Sequence, residues 1–349
     1  MAIAAYIKEI GRGKDGAGAL SSAQAHDLMS QVLDGQVSDL ELGAFCLAMR
    51  IKGETAEELD GFVRATHARC LDLRPALTRA QAAATAPLLG PVLLPSYNGS
   101  RKLPNLTPLL AWALAQRGVA VLVHGPRQDP TRITSAQVFT AGGWPVTEGH
   151  GSAHNASATD APDPIGPIEA VGRAWAAHQP AFMPTEVLCP ALARLLAVRW
   201  VIGLRNPGHT VAKLLNPLGL GMQVVNHTHP EYAVSLSSYL ALVKANALLM
   251  RGTEGEPVAD ARRQPRFDVF LDGQREDALC RAPVEGALVS LPELPEGREA
   301  DVTAAWIQSV VDGRAPLPEA IAAQADCLVS ALSALTSRAA QAALAVPQS

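Results

Sequence analysis

Aromatic side chains are scarce in this chain of 349 residues, at 4%. That scarcity speaks against an all-β sandwich, whose strands draw heavily on Tyr, Phe and Trp. Cysteine is almost as sparse. Cys46, Cys70, Cys189, Cys280 and Cys327 are odd in number and widely spread, with no Cys-x-x-Cys pair and no histidine at zinc-ligand spacing. This pattern argues against a disulfide framework and against a structural zinc site, so free thiols in a reducing compartment are expected. No uncharged apolar run reaches the roughly 18 residues of a membrane helix. The first turns carry Lys8, Glu9, Arg12 and Lys14 instead of a signal-peptide core. The expected location is the cytoplasm. Positive charge is not in excess either: 29 Lys and Arg stand against 33 Asp and Glu, for a formal net charge of −4. The molecule therefore has no global attraction for nucleic acid or anionic membranes, and any polyanion must be held by a local basic patch.

Apolar residues make up 48% of the chain, enough to fill a large core. Three capping-box patterns, Ser21 with Gln24, Ser38 with Glu41 and Thr55 with Glu58, open three amphipathic stretches between residues 21 and 67. Each has one apolar face, for example Leu42, Phe45 and Met49. They predict a small helical domain over residues 1–75, followed by a linker over 76–90 with Pro87 in it. From residue 91 to 349 short apolar runs alternate with helical patterns, which predicts an α/β domain with a mainly parallel sheet. Strands are expected at 92–94, 119–123, 222–225 and 247–250, and helices at 105–117, 132–141, 187–198, 231–242, 303–311 and 318–343. The Gly-, Ser-, Asp- and Pro-rich stretch 149–167 reads as a surface loop.

The segment LSSAQAHDLMSQVLDGQVSDLELGAFCLAMRIKGETAEELDGF is similar to the N-terminal helical domain of the anthranilate phosphoribosyltransferase and pyrimidine nucleoside phosphorylase superfamily. The resemblance implies dimerisation through the helical domain, and a helix near 187–198 that returns to pack beside it. The rest of the chain resembles the anthranilate branch, but departs from it where the chemistry lies. Active members wrap pyrophosphate in a Gly-Thr-Gly-Gly-Asp loop after the first strand, because glycine lets backbone N–H groups approach phosphate. This chain has Ser96-Tyr97-Asn98-Gly99-Ser100-Arg101-Lys102 at that place, so the cradle is expected to be gone. Asn105 and Thr107 preserve part of the family's next motif, and as residues in their own right they suffice to cap the following helix. A Lys-His-Gly-Asn-Arg motif is reduced to His124-Gly125-Pro126-Arg127; His124 lies at a strand end, on the sheet edge where open α/β sheets take ligands.

The family's magnesium motif, Asp-Gly-Leu-Asp-Glu, is replaced by Gly252-Thr253-Glu254-Gly255-Glu256-Pro257-Val258, which puts Pro257 and Val258 where two carboxylates should hold the metal. Glu254, Glu256 and Asp260 are the nearby acids that could substitute. Arg205 matches an arginine that grips the acceptor's carboxylate, and Leu214-Leu215-Asn216-Pro217 matches the family's Leu-Leu-Asn-Pro.

These departures, with runs such as YIKEIGRGK and RWVIGLRNPGHTVAKL, resemble the YbiB group of paralogues. That resemblance implies a homodimer without anthranilate chemistry or cofactor that binds DNA or RNA with little sequence preference. Candidate phosphate contacts are Lys8, Arg12, Lys14, Arg101, Lys102, Arg127, Arg132, Arg199, Arg205 and Lys213. A vestigial substrate cleft would comprise Asn98, Gly99, Asn105, Thr107, His124, Gly125 and Arg205. The competing expectation is a pentosyltransferase of altered substrate that still uses magnesium and phosphoribosyl pyrophosphate.

Overall fold

The computed structural model describes residues 3–13, 15–148, 165–287 and 291–345. The expected surface loop therefore falls mostly outside the described residues, as does Lys14. After α1 (Ala4–Ile10) come α2 (Ser22–Leu33), α3 (Asp39–Lys52) and α4 (Ala56–His67). The last three each begin with a complete capping box, in which the Ser or Thr oxygen accepts the N3 amide and the Gln or Glu side chain returns to the cap amide. Their apolar faces meet in one core, where the rings of Phe45 and Phe62 cross edge to face at 5.9 Å.

Of residues 76–90, expected as a linker, both ends belong to regular elements of the large domain, and only 84–88 are irregular. Helix α5 (Arg74–Ala83) buries Ala76, Leu77 and Ala80, and packs on α8 (Ile165–Ala176), while β1 (Leu89–Pro95) has already begun by Leu89. Of the alanines that resemble linker composition, Ala76 and Ala80 form a buried helical face, while Ala82, Ala83 and Ala86 are exposed. Between α5 and α8 lie β1, then α6 (Thr107–Ala115), β2 (Val119–Gly125) and α7 (Ser135–Ala141), the last opened by a further capping box of Thr134 with Gln137.

Next come β3 (Ala181–Pro184), α9 (Thr185–Leu188), α10 (Pro190–Ala197), α11 (Arg199–Ile202), α12 (Gly208–Ala212), β4 (Met222–His227), α13 (Glu231–Leu242) and β5 (Ala247–Arg251). The chain closes with β6 (Phe267–Leu271), β7 (Gln274–Arg275), α14 (Ala300–Val311) and α15 (Glu319–Ala345). The single helix expected over 187–198 is broken into α9 and α10 at Pro190, which lacks the amide a continuous helix needs.

The sheet runs β3-β2-β1-β4-β5-β6-β7, parallel from β3 through β5 and antiparallel at β6 and β7. Its central strands are buried on both faces, which is why they read as uninterrupted apolar runs such as Val119-Ala120-Val121-Leu122-Val123. One face is covered by α6, α7, α14 and α15. Helix α15 is apolar and long enough to cross a membrane by composition, but its Ile321, Ala325, Leu328 and Ala331 are buried in this core. The other face is covered by α5 and α8 at the β2–β3 end. At the β4–β5 end it meets a core that the sheet shares with α10, α12, α13 and the helical domain. Strand order reverses at β1, so the loops after β1 and β4 diverge and open a crevice at the carboxyl edge.

Candidate functional site

At that edge the backbone after β1 keeps its sheet register for one more residue, with the Ser96 amide donating to the His124 carbonyl at 2.8 Å. Gly125 is obligatory beside it, because a Cβ there would overlap the Ser96 carbonyl. The chain then turns through Gly99, whose φ of 67° suits a residue without a Cβ. The turn aims the amides of Asn98 and Gly99 at one point, and both donate to the Glu256 carboxylate at 2.8 Å. The hydroxyls of Ser96 and, at 3.2 Å, Thr107 donate to the other Glu256 oxygen. The Glu256 side chain is fully buried, and four donors offset the cost of taking its charge out of water.

One turn further on, the amides of Arg101, Lys102 and Leu103 donate to the Glu254 carboxylate at 2.9–3.1 Å. Burial raises the pKa of Glu254, but those amides and the Arg132 cation outweigh it and hold the carboxyl below its usual value. The expectation that the cradle is gone is therefore corrected. Its glycines have changed, yet its N–H groups still converge, and the chain's own glutamates occupy them.

The loop that carries both acids is pinned from three sides. Gln324 of α15 donates to the Pro257 carbonyl at 3.0 Å and accepts the Ala259 amide at 2.7 Å. Thr253 closes onto the Val258 carbonyl, and Lys213 donates to the Gly255 carbonyl at 3.3 Å. Asp260, the third candidate metal ligand, is bound to Arg262 at 2.6 Å. Pro257 and Val258 offer no side-chain ligand, and no cluster of three or more acids, histidines or cysteines suited to a metal occurs among the described residues. These residues do not fit the magnesium that the family implies.

The other members of the vestigial cleft have structural partners. Asn105 accepts the Thr107 amide at 3.2 Å and donates to Ile133 and Ser135, so it supports the start of α6 although Leu106 occupies the cap position. The hydroxyl of Thr107 is committed to Glu256 and does no capping. His124 is fully buried, its Nδ1 is 3.1 Å from the Tyr97 hydroxyl, and burial pushes its pKa down to about 3.

Beside the filled cradle, a cavity of about 370 Å³ separates the helical domain from the sheet. Arg50 and Glu54 line it from the α3–α4 junction, Arg205, His209 and Lys213 from the α12 region, and Asn226, His227 and His229 from the end of β4. Asn206 fixes the α12 part of this wall to α10 by donating to the Leu195 carbonyl at 2.7 Å. Burial and the neighbouring Arg205 push Lys213 down to about 8 and His209 down to about 3, while burial pushes Glu54 up to about 7.

Burial first, and then the nearby Arg199, Arg132 and Arg50, lower the pKa of Arg205 against the opposing pull of Asp129. The structure thus brings Arg132, Arg199, Arg205 and Lys213 into one positive field. It adds Arg50, which sequence reasoning missed because its signal, a cation closing α3, has an ordinary helix-dipole explanation.

The remaining candidates stand apart from this group. Arg101 and Lys102 are exposed on the cradle loop, and Arg127 is paired with Glu148 at 3.2 Å. Lys8 and Arg12 lie on or just after α1, with Arg12 paired to Glu9 at 3.1 Å. Within the positive group itself, Arg199 is paired with Asp129 at 3.6 Å.

Comparison with known proteins accords with this architecture. Residues 4–70 match the helical bundle domain of a glycosyl transferase family. The chain is 38% identical to YbiB of Escherichia coli K12 over 333 residues, covering 95% of this chain and 94% of that one. It is 27% identical to the anthranilate phosphoribosyltransferase of Symbiobacterium thermophilum over 252 residues, 72% of this chain and 64% of that one. Among solved structures, anthranilate phosphoribosyltransferase from Thermus thermophilus superposes with a TM-score of 0.59 at 21% identity, over 94% of this chain and 96% of that one. The Saccharomyces cerevisiae enzyme in complex with PRPP and Mg gives 0.58 at 13% identity, over 94% and 93%. With a helical bundle joined to a mainly parallel α/β domain, and a relative this similar along nearly its whole length, the chain belongs to the anthranilate phosphoribosyltransferase-like family, in the group that contains YbiB.

Proposed function

We propose that this protein is a catalytically degenerate member of its family that acts in the cytoplasm as a dimeric, sequence-tolerant binder of nucleic acid. The observation that carries this reading is the contrast between two neighbouring sites. The cradle that would hold a small pyrophosphate substrate is filled by Glu256 and Glu254, whereas Arg50, Arg132, Arg199, Arg205 and Lys213 lie beside it, with Asp129 paired to Arg199 and Glu54 pushed up to about 7. Such a group can engage successive backbone phosphates without reading bases. The overall charge of −4 then keeps binding local to the cleft.

Dimerisation is supported by exposed apolar side chains on the helical domain and beside it. Leu40, Leu47 and Ile51 recur on one face of α3, and Trp200, Val201 and Leu204 are exposed on and after α11, with Val201 86% exposed. A second copy covering these surfaces would double the cationic track.

The decisive experiment is fluorescence anisotropy with labelled oligonucleotides across a salt series. Affinity should change little with sequence and fall with a log–log slope of about −0.9 per duplex phosphate neutralised. Replacing Arg205 and Lys213 by alanine should flatten that slope by about one unit for each lost contact. A folded dimer that fails to bind at low salt would return the question to a small-molecule transferase.

A further inference from the structure

We infer that the loop after β1 is a complete anion-binding cradle that the chain keeps closed with its own carboxylates, so that emptying it creates a site for a free phosphate group. This accounts for how a small anionic substrate is excluded, and it holds or fails independently of nucleic-acid binding.

Five backbone amides, those of Asn98, Gly99, Arg101, Lys102 and Leu103, point at two carboxylates, and hydroxyls from Ser96 and Thr107 complete the first of the two sites. Successive amides aimed at one point across a left-handed residue form a concavity that selects an oxyanion by geometry. This one sits at the carboxyl edge of a parallel sheet, beside the strand-order reversal where such sheets take ligands. Its present occupant is covalently attached and arrives from a loop 158 residues away in sequence. That attachment makes occupancy intramolecular, so a free anion must compete with a very high local concentration of carboxylate.

The plug is also held in place independently of the cradle. Gln324 and Thr253 fix the backbone on either side of it, and Lys213 holds the Gly255 carbonyl between the two acids. Gly255 has a φ of 86°, and a Cβ there would strike the Asn98 side chain, so the glycine lets the plug loop lie directly against the cradle. The donor loop has anchors of its own, since the Ser96 amide donates to the His124 carbonyl and Ser100 exchanges backbone hydrogen bonds with Ile133, so trimming one side chain should leave the donors in position.

The test uses inorganic phosphate with the full-length protein. Glu256→Ala should lower the melting temperature, millimolar phosphate should restore much of the loss, and calorimetry should show one phosphate bound per chain. Wild type and Glu256→Gln, whose amide oxygen still fills the cradle, should show neither the rescue nor the heat. Should Glu256→Ala fail to fold, Glu254→Ala serves in its place, since that carboxylate is only partly buried and the amides of Arg101, Lys102 and Leu103 would be freed. A folded alanine variant that phosphate neither stabilises nor binds would overturn the inference. Anisotropy on the same variants separates the two ideas, since phosphate binding and oligonucleotide binding are read in different measurements.

Discussion

At the scale of single residues, the cleft is set by groups whose protonation is unusual. Lys213 is pushed down to about 8 by burial and by Arg205, so it loses its proton as pH rises through that value. A phosphate placed beside it favours the charged form, and binding below or near that pKa is therefore coupled to proton retention. Oligonucleotide affinity at fixed ionic strength should decline between about pH 7 and pH 9 as Glu54 gains a charge and Lys213 loses one. Lys213→Arg in a Glu54→Gln background, where that position stays cationic throughout, should remove the decline that Glu54→Gln alone retains. An unchanged pH profile in the double variant would show that Lys213 does not face the polyanion. The same shift has a stability consequence of definite sign. The folded state holds fewer protons than the unfolded chain between pH 8 or so and the ordinary lysine value, so burying Lys213 costs most at neutral pH and is relieved as pH rises. His209 and His124, both pushed down to about 3, stay neutral between about pH 7 and pH 9, whereas Glu54, which lines the same cavity and is pushed up to about 7, ionises within that range.

At the scale of elements, the capping boxes differ in what they support, and their removal should differ accordingly. Ser38 caps α3 at an exposed position, so Ser38→Ala should cost about 1 kcal/mol. Glu58 closes the box of α4 while fully buried, where it also accepts the Leu20 amide at 2.9 Å and pairs with Lys52 at 2.5 Å. Glu58→Ala strands a nearly buried lysine and two backbone amides, and should cost about 3–5 kcal/mol. Urea unfolding of the two variants tests the contrast, and equal losses would refute it. The three boxes look alike in sequence, because the pattern reports a local hydrogen-bond exchange and carries no information on what packs over it. For the same reason the strands over 92–94, 119–123, 222–225 and 247–250 were legible, being apolar and bounded by turn residues. Strand β3, only four residues long and ended by Pro184, and the two-residue β7 carry too little pattern to be read.

At the scale of the whole molecule, the proposed function predicts a dimer that binds but does not transfer. Val201→Asp together with Leu40→Glu places charge on the exposed apolar surfaces of α11 and α3, and should yield a folded monomer by light scattering. If the cationic track spans two copies, the monomer should bind long oligonucleotides more weakly, with a shallower salt slope. Anthranilate and phosphoribosyl pyrophosphate with magnesium should give no product, since Glu254, Glu256 and Asp260 are all engaged by other donors. Turnover near the common enzyme rate of about 10 per second would contradict that expectation.

By itself the sequence determined the fold class, the three capped helices of the helical domain, four of the parallel strands, the family, and the loss of an adjacent acidic pair at Pro257 and Val258. These are local properties, written in caps, periodicity and short motifs. Only the tertiary structure decided that the cradle survives with Glu256 inside it, that Arg50 joins Arg132, Arg199, Arg205 and Lys213, and that Ala76, Leu77 and Ala80 enter the core from a helix where a linker was expected. Each of these depends on groups far apart in the chain meeting at the sheet edge or across its faces. A backbone amide presents the same chemistry whichever side chain precedes it, so replacing glycines in the loop does not reveal where its N–H groups point, nor which distant carboxylate has come to meet them.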